Sequence, residues 1–140
     1  MSEKRTTAIN PRELAAPRGY NNGMLAPPGR VLAIAGQIAC DAEAKLVSTD
    51  FVAQFGRALS NVVAVLHEAG GVPTDLILLR IYVTDKTLYS TRTKEIGALY
   101  RELMGTHYPA MALLQVADLL EPGALVEIEG LAVISSGSQE

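Results

Sequence analysis

Two carboxylates, Glu127 and Glu129, stand two residues apart in the alternating run Leu125–Ile134. Side chains at i and i+2 of a strand share a face, so both point the same way as Leu125, Leu131 and Val133. A carboxylate in such a place either takes a proton from a water, as a general base, or pairs with a cation. The cation at hand is Arg80, which the same alternation sets on one face of Leu76–Val83 together with Leu76, Leu78 and Tyr82. Both readings stand for Glu127, whereas for Glu129 the ion pair is the simpler one. Tyr20, next to Asn21-Asn22-Gly23, carries a phenol that donates to a ligand or packs. Cys40 has no histidine near it in sequence to draw off its proton, and the spacing of His67 and His107 makes no metal pair.

These side chains need a scaffold, and the apolar periodicity supplies one. Val52, Phe55, Leu59, Val62, Val63 and Leu66 recur at intervals of three and four, which predicts a helix capped by Thr49 or Asp50 and ended by Gly70-Gly71. Tyr89, Ile96, Leu99, Tyr100 and Leu103 form a second helical stripe with Gly105 just beyond it. Val31–Ala35, Leu76–Val83, Met111–Val116 and Leu125–Ile134 read as strands. Tyr20-Asn21-Asn22-Gly23 has the chemistry of a hairpin turn. Residues 1–18, interrupted by Pro11 and Pro17, are expected to be a loose arm, residues 19–134 one domain, and residues 135–140 a polar tail. The order predicts an α+β fold in which two helices cover one face of a single mixed sheet. The other face, with Leu76, Leu78, Tyr82, Leu125, Leu131 and Val133, is too apolar for water and is expected to meet another subunit.

Composition narrows the partners. The chain has 140 residues, 49 % of them hydrophobic, which suits one domain. With 12 Lys+Arg against 15 Asp+Glu the net charge is −3, and the basic residues are scattered, so nucleic acid is not an expected partner. No apolar run is long enough to cross a membrane. A polar amino terminus and one cysteine fit a protein that stays in a reducing cytoplasm.

Five segments carry a resemblance: Ala35-Gly36-Gln37-Ile38, Tyr82-Val83-Thr84-Asp85, Tyr108-Pro109-Ala110, Gln115-Val116-Ala117, and Pro122-Gly123-Ala124-Leu125-Val126-Glu127-Ile128-Glu129. In this order and spacing they resemble the RidA/YjgF family, also described as endoribonuclease L-PSP, over residues 19–134. The resemblance implies a chorismate-mutase-like fold, a homotrimer with clefts between subunits, and cofactor-free hydrolysis of enamine or imine intermediates to 2-keto acids and ammonia. It gives Tyr20 and Gly36 places beside the cleft and gives Glu127 the task of positioning the attacking water. It also sets Met111 where the family carries an arginine that holds the substrate carboxylate, and Gly97 where it carries an asparagine. Methionine offers no donor. Met111, Leu113 and Gln115 share a strand face and imply a cleft wall suited to a larger or uncharged ligand, while Arg80 is the candidate cation to supply the charge missing at Met111. A non-catalytic binding or chaperone-like trimer is the alternative implied by the same substitutions.

Overall fold

The computed structural model describes residues 5–135. Its core is a four-stranded sheet of β3 (Gly29–Gln37), β4 (Leu76–Val83), β5 (Ala110–Gln115) and β6 (Val126–Ser135), in the order β3-β6-β4-β5. β6 runs antiparallel to both its neighbours, and β4 pairs in parallel with β5. Helix α1 (Phe51–Glu68) lies across β3 and β6. It starts where the Asp50 carboxylate accepts from the Ala53 N–H at 3.0 Å, as the sequence predicts. Phe55, Leu59, Val62 and Leu66 on its apolar face meet Leu79, Ile81, Val83, Val126, Ile128 and Ala132 of the sheet.

Three details depart from the sequence reading. The second helical stripe is broken into α2 (Lys86–Ser90) and α3 (Thr93–Met104). The Thr91 hydroxyl donates to the Thr87 carbonyl at 2.6 Å and Arg92 leaves helical geometry, so the local side-chain bond ends α2 before the stripe resumes. Leu76 is fully buried on the helix side rather than on the open face, because one extra β4 residue stands between the pairs Leu76↔Ala132 and Leu78↔Leu131. Such a bulge inverts the alternation on one side of it. Leu125 likewise packs against the core from the turn before β6.

The amino-terminal residues also do more than a loose arm. β1 (Thr7–Ile9) pairs antiparallel with β2 (Gly23–Leu25). Asn10 locks this pair: its carboxamide oxygen accepts from the Asn22 N–H at 2.8 Å, and its NH2 donates to Asn21 at 2.9 Å. Tyr20-Asn21-Asn22-Gly23 is therefore no hairpin turn, and neither asparagine takes a positive φ. Residues 136–140 of the expected polar tail lie outside the described residues.

The open face of the sheet is apolar at its margins and polar at its centre. Val31, 69 % exposed, stands opposite Val133, Leu78 stands opposite Leu131, and Leu114 is 44 % exposed. Among the described residues no helix is long and apolar enough to cross a membrane.

Candidate functional site

The open face brings Glu127, Glu129, Arg80 and Tyr82 together through two cross-strand pairs, Tyr82↔Glu127 and Arg80↔Glu129. The pairing separates the two carboxylates. Arg80 Nη1 donates to Glu129 Oε2 at 3.2 Å, and the Tyr82 hydroxyl donates to Glu129 Oε1 at 2.7 Å. The hydrogen bond to Glu129 raises the Tyr82 pKa, so the phenol stays a donor. Glu129 and Arg80 are thus engaged with each other within the chain. Glu127 has no hydrogen-bond or ion-pair partner among the described residues.

Glu127 lies directly against Gly36. β3 carries one extra residue between Ile34↔Gly130 and Gln37↔Ile128, and this bulge turns Gly36 toward β6. A Cβ built on Gly36 meets the Glu127 carboxyl carbon at 2.8 Å and its Cγ at 3.0 Å, with one carboxylate oxygen nearer still. Only glycine leaves that space to the carboxylate.

Helix α1 holds the chain on both sides of this contact. Gln54, fully buried, donates to the Ser48 and Gly123 carbonyls at 2.9 and 3.0 Å, and its oxygen accepts from the Leu125 N–H at 2.8 Å. Two turns on, Asn61 donates to the Ile38 and Cys40 carbonyls, each at 3.1 Å, and accepts from Arg57. One amide therefore fixes the entry to β6 and the other the exit from β3. Neither residue stood out in the sequence. Their only signal there is a carboxamide on or beside the apolar stripe of a helix.

Met111 belongs to a different place. It pairs with Leu79, whose side chain is in the core, so it faces the helices and not Glu127. Together with Gly19, Gly97, Arg101, Tyr89 and Tyr108 it lines a pocket of about 210 Å³ between the β5 edge and α3, floored by Phe55, Ile81 and Ile96. The chain at residues 19–21 is tied to β5 by the Asn21 N–H, which donates to the Pro109 carbonyl at 3.1 Å, and by the Asn21 side chain, which donates to the Tyr108 carbonyl at 2.5 Å. Tyr100 and Tyr108 stack with centroids 5.0 Å apart, and the Tyr100 hydroxyl donates to the His107 carbonyl at 2.6 Å. Burial raises the pKa of Tyr100 and of Tyr89, which keeps both phenols protonated. Tyr20, 36 % exposed, follows the pocket residue Gly19 in the chain, and Leu113, also 36 % exposed, follows Met111 along the β5 edge.

A larger cleft of about 530 Å³ lies beneath the amino-terminal strands, and its carboxylate and its imidazole are both held by main-chain groups. Asp75 accepts from the Val72 N–H at 2.9 Å, and His107 Nε2 is 2.7 Å from the Leu76 carbonyl. The Cys40 thiol has its pKa raised, by desolvation first and by Glu121 and Asp41 next, which opposes a thiolate. Among the described residues no group of three or more metal-ligating side chains occurs.

The sequence profile of the family described as Endoribonuclease L-PSP matches residues 11–134. A RutC family protein of Pyrococcus abyssi is 30 % identical over 105 residues, 74 % of this chain and 79 % of its own length. The protein DfrA of Myxococcus xanthus is 30 % identical over 115 residues, 81 % of this chain and 84 % of its own. Among solved structures, YyfB of Yersinia pestis, a Rid family protein of unknown function, superposes with a TM-score of 0.83 at 31 % identity, covering 93 % of this chain and 99 % of that one. The YjgF gene product of E. coli gives 0.66 at 27 % identity, covering 94 % of each.

Proposed function

Because the chain belongs to the Endoribonuclease L-PSP (RidA/YjgF) family, we propose that it binds a small imine, enamine or carbonyl metabolite in clefts between the subunits of a homotrimer and hydrolyses the imine. The observation that carries the reading is the carboxylate of Glu127, which has no hydrogen-bond or ion-pair partner among the described residues and packs on the bare backbone of Gly36 at a half-open surface. In the reaction water adds to the C=N carbon of the protonated imine as Glu127 accepts a proton from that water, which gives a neutral carbinolamine. Glu127 passes this proton to the amino nitrogen. As the C–N bond breaks and ammonia leaves, the hydroxyl proton goes back to Glu127, C=O forms, and the proton is released to solvent or to the ammonia. No cofactor is required.

The trimer is needed for geometry as well as for solubility. Within one chain Met111 and Glu127 lie on opposite faces of the sheet. A ligand between them has to take the Met111 pocket from one subunit and the Gly36–Glu127 contact from another. Val31, Leu78, Leu114, Leu131 and Val133 supply the apolar margin for that contact, each contributing on the order of 1.5–3 kcal/mol if fully buried. Tyr20, beside the pocket, serves as a hydrogen-bond donor to the ligand, and Leu113 extends its apolar wall. Arg80, committed to Glu129, serves the interface rather than the ligand.

The test supplies the 2-imino acid made from L-leucine by an amino-acid oxidase and traps unhydrolysed imine with semicarbazide. Wild type should outcompete the trap, and Glu127→Gln should fall to background while sedimenting as a trimer. Undiminished hydrolysis in Glu127→Gln overturns the catalytic role. The lack of a hydrogen-bond donor at Met111 favours one second reading, a binding module without catalysis; trimers that bind a keto acid yet leave the imine untouched would establish it.

A further inference from the structure

The Met111 pocket contains one cation, Arg101, and its place there has a structural cause. Arg101 stands four residues after Gly97 on α3, hence one turn along the same helix face. Helical side chains lean back toward the amino terminus, and here the guanidinium lies over the Gly97 backbone: a Cβ at Gly97 would come within 3.3 Å of Arg101 Nη1. Even the methyl of an alanine at position 97 would press on it.

Arg101 makes no ion pair or side-chain hydrogen bond among the described residues, in contrast to Arg80 and Arg92, which both hold carboxylates. The hydroxyls of Tyr89, Tyr108 and Thr93 in the same pocket likewise have no protein partner there. The rest of the lining is largely apolar, with Phe55, Ile81, Ile96 and Met111. A cavity with one unpaired guanidinium, hydroxyls that can donate, no carboxylate of its own and an otherwise hydrocarbon lining matches a ligand that carries an anionic group on an apolar body.

We propose that Arg101 is the ligand-anchoring cation of this protein and that the pocket takes a monocarboxylate with a branched or aromatic apolar body. The guanidinium holds the carboxylate through two parallel N–H donors, and the side chain of the ligand rests on Ile96 and Met111. The proposal rests on the reading of this chain as an imine or carbonyl binder and names the class of compound within it. Its geometry makes Met111 a specificity residue: a methionine there accepts a large apolar body and leaves the charge recognition to the helix.

Calorimetric titration with 2-oxo-4-methylpentanoate tests the assignment, with 4-methyl-2-pentanone as the probe that keeps the body and lacks the carboxylate. Arg101→Ala should weaken the keto acid roughly ten- to hundredfold and leave the ketone unchanged. Arg101→Lys should recover part of the loss, since a single ammonium keeps the charge without the fork. Moving the arginine back to the strand, in Arg101→Ala/Met111→Arg, should restore keto-acid binding from the opposite wall. Equal keto-acid affinity in wild type and Arg101→Ala would overturn the role of Arg101, as would a wild type that binds the ketone as tightly as the keto acid. Neither result touches the hydrolytic reading, which stands or falls with Glu127→Gln in the imine assay.

Discussion

Gly36→Ala isolates the contribution of one carboxylate position. Gly36 does not adopt a positive φ, so alanine fits its backbone. The new methyl is 2.8 Å from the Glu127 carboxyl carbon and 3.0 Å from its Cγ, where an ordinary contact begins near 3.4 Å. The side chain of Glu127 is free at its end, so it swings away rather than forcing the strands apart. Its rotamer change costs about 0.5–1.5 kcal/mol, partly offset by the 0.4–1 kcal/mol that a Gly→Ala change gains through the unfolded chain. Melting should therefore shift by no more than a few degrees. Activity should not be so forgiving, because a misplacement of about 1 Å in a catalytic group costs roughly a hundredfold. Imine hydrolysis by Gly36→Ala is expected to drop by that order, and the double variant Gly36→Ala/Glu127→Gln should be no worse than Glu127→Gln alone. Full turnover in Gly36→Ala would refute the reasoning, as would a drop that adds in full to that of Glu127→Gln.

Three further outcomes are expected. Gln54→Ala removes three hydrogen bonds from buried main-chain partners and should destabilise the fold by about 2–4 kcal/mol in urea unfolding. Asp85 has its pKa lowered by the Thr87 hydroxyl and N–H, so the stability it lends α2 is complete above the ordinary carboxylate pKa and is lost as pH falls through its depressed folded value; Asp85→Asn should flatten the acid limb of the melting-temperature profile. Leu131→Lys, on the open face, should abolish the proposed trimer and leave a folded monomer with an unchanged circular dichroism spectrum, as read by sedimentation.

Much of the scaffold was readable because its signals are local. The run Leu76–Val83 is a strand over those same residues, and the apolar spacing from Val52 to Leu66 is α1, capped by Asp50. What escaped depends on neighbours distant in sequence. Alternation placed Leu76 on the open face, and the bulge opposite Ala132 reverses it. Thr7–Ile9 reads as a polar arm until Gly23–Leu25 pairs with it. At the site, Glu127 and Gly36 carried a resemblance strong enough to mark them before their contact was visible. The partner of Arg80 was open between two glutamates two residues apart, a choice that cross-strand register alone makes. Arg101 gave no signal because a cation at an exposed helix position is ordinary; its significance comes from the missing side chain one turn earlier.

The amides of Gln54 and Asn61 touch main-chain atoms of the segments they secure, with Arg57 the one side chain involved among the described residues. A fastener of that kind does not read the identity of what it fastens. Substitutions at Ser48, Ile38 or Cys40 leave the same carbonyls in place, so these half-buried loop positions can change while the geometry between β3 and β6 persists. Variation in ligand preference among proteins built this way can accumulate in the loops at little structural penalty, with the burden of constancy concentrated in two carboxamides on one helix.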